Sequence, residues 1–396
     1  MSTKANLCGL GNSHQRKQRL FQGHGEKRKV KFVVFLSILF IFFNASPVGG
    51  QNVKLIEKIK FSQSLPPDVR DFCLTDDELV IIPDYQASNV KIYEKNGEVL
   101  EVVNTIGRKG YGPDELSKPT ACFYNKNESK FGIMDLGIRK IFLYDRIGRL
   151  DFKRVKEVSC WRGAYDIQLK GNRLLISGYK QRQDEEPYDF YYVDLTNDQT
   201  TFLLPSHYKY GLKSFREYEI EYRGKPDFPA IGIKGWFDIH NDDVYFVWEG
   251  NLKVIRLNFV SGEISLNPFG NQKTNYVKPR ATKKLRESRR KIDTSIAESE
   301  RAKVSYVKNI FVSSGHILVI YQGPINQGNA SNFWLHFYKL NGDFVREEPI
   351  PGQPGSIMWF DKDKYLLYSL SIESNMSGGK YFILKFEISG SGGGYQ

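Results

Sequence analysis

Cysteine is scarce in this sequence, four residues in 396, too few to staple a disulfide-built scaffold of this length. Histidine is also rare: six residues, none in a His-x-x-x-His or mixed Cys/His spacing, so the usual zinc frameworks are excluded. No Gly-x-Ser-x-Gly elbow and no phosphate-binding loop is present, so two common catalytic signatures are missing. Gly107, Gly110 and Gly112 do not precede a helical pattern, and a dinucleotide fingerprint fails its structural condition there. The long apolar run Val33–Phe43 has 11 residues, with Ser37 inside it. A membrane-spanning helix needs about 20. Aromatics are plentiful, with 27 Phe, 23 Tyr and 5 Trp, and hydrophobic residues make up 40% of the chain. That composition belongs to a folded protein with a sizeable core.

The run has the layout of a secretory signal. Lys27-Arg28-Lys29 and Lys31 stand at its start, and small residues, Asn44-Ala45-Ser46-Pro47-Val48-Gly49-Gly50, follow it. Cleavage after Gly50 fits the small-residue pattern, and after Ala45 is the alternative. No cysteine follows the run, so a lipoprotein anchor is not indicated. Residues 1–50 are therefore expected to be a leader outside the fold, and the protein periplasmic or secreted. An uncleaved signal would leave it anchored to the cell envelope.

From Gln51 onward, apolar and aromatic runs of four to seven residues alternate with Asn, Asp and Gly turns, the grammar of strands. One turn type follows an aromatic strand. It reads Val90–Tyr93 then Asn96-Gly97, Lys140–Tyr144 then Gly148, Leu252–Leu257 then Ser261-Gly262, and Phe333–Tyr338 then Asn341-Gly342. Phe190–Val193 repeats it without the glycine, and Tyr381–Phe386 is a sixth such strand. A second turn precedes each by one strand, at 75–78, 125–128, 170–172, 241–243, 313–315 and 361–363. Six units of four strands with a long period predict an all-β, six-bladed β-propeller over residues 51–389, with a Gly-rich tail at 390–396. The last unit ends after its third strand, so residues 53–61 are expected to supply its outer strand and close the ring. A β-sandwich pair is the alternative architecture.

The segment Ile106-Gly107-Arg108-Lys109-Gly110-Tyr111-Gly112-Pro113-Asp114-Glu115-Leu116-Ser117-Lys118-Pro119 resembles the linker of NHL-type repeats. The chain as a whole is similar to the exported six-bladed NHL-like propellers of bacteria. That resemblance implies the fold and leaves the activity open, because such propellers serve as binding proteins, lyases and lactonases.

Two inserts interrupt the period. Residues 206–234 carry Tyr208, Tyr210, Phe215, Tyr218, Tyr222 and Phe228, and read either as an aromatic lid for a sugar or peptide or as rings anchoring the insert. Within 271–305, the stretch 273–303 holds eleven Lys/Arg against four acids and reads as a short helical insert, with Leu285, Ile292 and Ile296 as a narrow apolar seam. It is either a solvated helix or a contact for an anionic surface.

Aligning the blades places Asp71 (after Arg70), Asp166 (after Tyr165), Asp238 and Asn309 at the starts of four inner strands, with Thr120 and Ile357 at the other two. Inner strands of a propeller line its axis, so these side chains are candidates for one ligand site. Asp71, Asp166 and Asp238 are candidate oxygen ligands for Ca²⁺ or Mg²⁺. Arg70 and Lys308 offer neutralisation instead, and a plain turn-capping role is the structural alternative. Cys73 and Cys122 fall on adjacent inner strands, and buried apolar packing is favoured over a disulfide.

The sequence thus predicts a monomeric, exported binding module that uses the channel-mouth face for a protein, peptide or glycan. A metal-dependent hydrolase or lyase is the rival. Of the formal charge of +12, the leader accounts for +7 and residues 273–303 for another +7, leaving the propeller near neutral at −2. Nucleic acid is accordingly not expected as a partner, and any anionic surface would meet residues 273–303.

Overall fold

The strands and turns anticipated from residue 52 onward are all found in a computed structural model of the chain. It describes residues 52–63, 65, 69–112, 114–161, 163–180, 188–206, 234–269, 275–277, 302–325, 333–375 and 378–389. The leader, the tail and nearly all of both inserts lie outside the described residues, the anticipated helix included. The chain separates into two units at residue 51/52, and the second holds every strand described.

Four blades are separate four-stranded antiparallel sheets. Blade 2 runs from its inner strand Pro119–Asn125 through Lys130–Asp135 and Lys140–Arg146 to the outer strand Phe152–Ser159. Blade 3 is Ala164–Lys170, Arg173–Lys180, Tyr188–Asp194 and Thr200–Pro205. Blade 4 is Gly235–His240, Asp243–Trp248, Asn251–Asn258 and Ile264–Phe269, and blade 5 is Tyr306–Val312, His316–Gln322, Phe333–Lys339 and Phe344–Pro349.

Blades 1 and 6 share one eight-stranded sheet. Blade 1 is Cys73–Leu74, Val80–Asp84, Asn89–Asn96 and Val99–Ile106; blade 6 is Ile357–Asp361, Leu366–Asn375 and Gly378–Ile388. The strand Val53–Phe61 completes blade 6, pairing antiparallel with Gly378–Ile388 from Val53↔Ile388 to Lys60↔Phe382. Its last residues also pair in parallel with the outer strand of blade 1, Lys60↔Val99 and Phe61↔Leu100. The ends of the ring are therefore fastened as anticipated. One detail differs: the register shifts between Leu55 and Glu57, so Leu55 and Ile56 both face solvent and strict alternation is lost.

Each blade is flanked by two others, so its second and third strands bury both faces. That is why runs such as Ile317–Tyr321 are apolar throughout, with no polar alternation. Six apolar clusters fill the six seams. The seam between blades 6 and 1, where the ring closes, packs Ile59, Phe61, Tyr368 and Ile383 against Leu74, Val80, Ile82 and Tyr93.

Candidate functional site

Asp166, Asp238 and Asn309 lie within inner strands and Asp71 two residues before one, and their side chains make one repeated contact. One oxygen accepts the N–H of the next residue: Phe72 N to Asp71 Oδ1 2.9 Å, Ile167 N to Asp166 Oδ1 2.8 Å, Ile239 N to Asp238 Oδ1 2.8 Å and Ile310 N to Asn309 Oδ1 2.8 Å. The other end of each side chain reaches the following blade. Cys122 N donates to Asp71 Oδ2 (2.9 Å), Phe237 N to Asp166 Oδ2 (3.4 Å) and Val312 N to Asp238 Oδ2 (2.6 Å). Asn309 inverts the polarity and donates through Nδ2 to Met358 O at 3.1 Å. These side chains staple blade to blade.

Burial around the axis pushes the Asp71 carboxyl up to about 7, although the N–H donors of Cys122 and Phe72 pull the other way. Asp166 is driven well above the ordinary carboxylate range by burial and then by repulsion from Asp71, with a further contribution from Asp238. A cation also reaches Asp238. Lys362, from the first turn of blade 6, extends to the inner strand of blade 4 and places Nζ 2.6 Å from Asp238 Oδ1 and 3.4 Å from Ile239 O. Other first turns are tied by Lys126 of blade 2 to Asp363 of blade 6 at 2.7 Å and by Lys364 of blade 6 to Glu78 of blade 1 at 3.0 Å.

Arg70 lies over the Tyr85 ring at 4.1 Å and Lys308 over Tyr306 at 5.5 Å. Tyr165 is half-buried, and burial raises its phenol pKa, with Asp189 and Glu249 adding to the effect. Each of the three carboxylates accepts two backbone N–H groups, and Asp238 also meets Lys362. Among the described residues, no three His, Cys, Asp or Glu side chains form a metal-holding group.

An open concavity lies elsewhere on the face where the inner strands begin. A cleft of about 360 Å³ opens at the seam of blades 6 and 1, lined by Val69, Gln353, Pro354, Ser356, Ile357 and Tyr381 among others. None of the described residues lining it carries a charge at neutral pH. Its wall is held by Ser369 Oγ donating to Gly355 O (3.1 Å) and Ser371 Oγ donating to Gln353 O (2.5 Å). Gly355 is required there, because a Cβ would fall 1.7 Å from Leu370 O. The only sequence signal for this wall is the Pro-Gly-rich segment 351–355.

The linker that carries the resemblance is a knot around Glu115. Its carboxylate accepts Gly112 N (2.7 Å) and Tyr111 N (2.9 Å) and meets Arg108 Nε at 3.1 Å. Gly110 leaves room for it, since a Cβ there would lie 1.9 Å from Glu115 Oε2. Tyr111 is held out at 80% exposure. Asp84 and Asp135 are among the further buried carboxylates that were not singled out from the sequence. Asp84 accepts Ala87 N (2.8 Å) and pairs with Lys91 (2.9 Å); Asp135 accepts Ser117 N (2.6 Å), Lys118 N (2.9 Å) and Gly137 N (2.8 Å). Their signal was available: each precedes the tyrosine of its third strand, Tyr93 or Tyr144, by the same interval.

Four-stranded sheets with their inner strands adjoining in sequence order, and a last blade completed by the N-terminal strand, define a six-bladed β-propeller. Residues 65–222 match the model of the DUF5128 family, described as a 6-bladed beta-propeller. A member of the DUF4221 family from Bacteroides vulgatus superposes with a TM-score of 0.60 at 12% identity, covering 85% of this chain and 99% of that one. A Bacteroides fragilis protein described by name as exported superposes with a TM-score of 0.53 at 16% identity, covering 84% and 94%. At these identities the likeness is one of fold, and it agrees with the NHL-like character of the 106–119 linker. No curated protein matches the sequence.

Proposed function

We propose that this chain is an exported binding protein that takes an uncharged ligand, a glycan or peptide segment, in the cleft at the seam of blades 6 and 1. The observation that carries the reading is the chemistry of that lining. It offers apolar surface (Pro354, Ile357), a phenol (Tyr381) and short polar groups (Gln353, Ser356), without a carboxylate, imidazole, thiol or amine among the described residues. The hydroxyls of Ser356, Ser371 and Tyr381 need an activating base beside them for acid–base or nucleophilic steps, and none lines the cleft among the described residues. The carboxylates of the axis are occupied as blade staples, so nothing favours the hydrolase or lyase reading. Export is supported by the signal-like layout of residues 27–50 and by the exported description of the Bacteroides fragilis relative in fold.

The test is a thermal-shift and calorimetric titration of the purified protein with neutral oligosaccharides and uncharged short peptides. A saturable rise in Tm that is lost in Ser356→Trp, a variant that fills the cleft, is the expected result. Equal binding by wild type and Ser356→Trp would move the site elsewhere, and consumption of a titrated compound would replace binding by catalysis.

A further inference from the structure

Cys73 lies on the inner strand of blade 1 and Cys122 on the inner strand of blade 2, both buried in the single apolar cluster that fills the seam between these blades. In the structure both are free thiols, as is Cys160, and two contacts link their surroundings. The Asp71 staple bonds directly to Cys122 N at 2.9 Å, two residues from Cys73. The Cys122 thiol points at Ile81 O, 3.7 Å away, and Ile81 is the cross-strand partner of Cys73. Cys160 sits apart in the cluster between blades 2 and 3, against Met134 and Tyr191.

We propose that Cys73 and Cys122 are a redox pair that forms a disulfide between blades 1 and 2 when the chain folds in an oxidising compartment. The proposal rests on the exported reading given above, since a reducing cytosol would keep both residues as thiols. The exchange is balanced by a disulfide oxidant, oxidised glutathione or a thiol–disulfide oxidoreductase. One cysteine thiolate attacks its S–S bond to give a mixed disulfide and release one thiol. The second cysteine then displaces the other thiol, so two protons and two electrons leave the protein.

Timing follows from burial. Burial pushes the Cys73 thiol up and the Cys122 thiol well up, so the thiolate that must attack is scarce in the folded protein. The bond therefore forms while the seam is still open, and the finished propeller resists both oxidation and reduction. Closing a loop of roughly fifty residues would restrict the unfolded chain substantially.

The test is a non-reducing peptide map of the full-length chain, unfolded and reduced, then refolded with oxidised or with reduced glutathione. The expected result is a peptide pair linking Cys73 to Cys122 only after oxidative refolding. Tm should be several degrees higher than for the reduced product, and Cys73→Ala and Cys122→Ala should lose the difference. Oxidised glutathione added to the already folded, reduced protein should give little of the linked pair within the same time. Absence of the linked pair after oxidative refolding to a native-like fold, or a link to Cys160 instead, overturns the proposal. Mapping protein recovered from cells separates the two readings. A chain competent in vitro but unlinked in a cytosolic fraction refutes export and leaves the pair intact, whereas a periplasmic chain with both thiols free refutes the pair and leaves export intact.

Discussion

Replacing Asp238 by alanine tests whether the axial carboxylates hold blades together. Asp238 is 2% exposed and accepts three hydrogen bonds, from Ile239 N, Val312 N and Lys362 Nζ. Val312 is buried at 1%, so its N–H would lose its acceptor with little access to water, a cost of about 1–3 kcal/mol. The Lys362 side chain keeps 38% of its surface, and solvent screening holds that ion pair to about 1 kcal/mol or less. Asp238→Ala should therefore lose about 2–4 kcal/mol, and Lys362→Ala about 1 kcal/mol or less. For a domain of this size the first loss corresponds to a fall in Tm of roughly 4 °C. Urea unfolding of both single variants and of the double variant gives the coupling directly. An Asp238→Ala loss under about 0.5 kcal/mol would refute the staple, as would a Lys362→Ala loss equal to it, which would make the ion pair the dominant contact.

Three further outcomes follow from the same geometry. Deleting residues 51–61 removes the buried Val53, Ile59 and Phe61 and opens the edge of Gly378–Ile388, so size-exclusion chromatography should show aggregation; a monomer with wild-type Tm would contradict ring closure. Asp71, with its pKa raised to about 7, keeps in the folded state a proton that the unfolded chain releases near pH 4, so its contribution to stability is present in acid and lost as pH rises through 7. That contribution is at most about 4 kcal/mol. Asp166 acts in the same direction, while His336, lowered mainly by burial, acts oppositely by costing stability as pH falls below 6.5. Asp71→Asn should flatten the fall in Tm between pH 5 and 8, and parallel profiles for variant and wild type would refute the assignment. Gly355→Ala puts a methyl against Leu370 O and should cost about 3 kcal/mol, read as a fall in Tm; a neutral substitution would mean that the cleft wall is not held as described.

The architecture was legible because two turn types recur with a fixed order. Six blades, and even the outer strand Val53–Phe61, followed from pattern and from the missing last strand. What the pattern could not carry was the detail at Leu55 and Ile56, where a register shift turns two apolar residues outward. Asp166, Asp238 and Asn309 fall on inner strands and Asp71 just before one, but the contacts they make were not readable, since the N–H that Asp166 meets belongs to Phe237 in the next blade. Lys362 escaped notice for the same reason: it reaches Asp238 only through the curvature of the ring. The cleft at blades 6 and 1 is assembled from positions far apart in the chain, Val69, the 353–357 segment, Leu370 to Ile372 and Tyr381, so no contiguous motif marks it.

The claim that the axis is structural and the protein a binder meets its most direct test in metal analysis of the purified protein before and after chelator, with Tm recorded on the same samples. The expected result is substoichiometric Ca²⁺ and Mg²⁺ and a Tm unchanged by chelator. A stoichiometric divalent ion, lost in Asp166→Asn and Asp238→Asn together with a chelator-sensitive Tm, would contradict it and restore a metal site at the channel mouth.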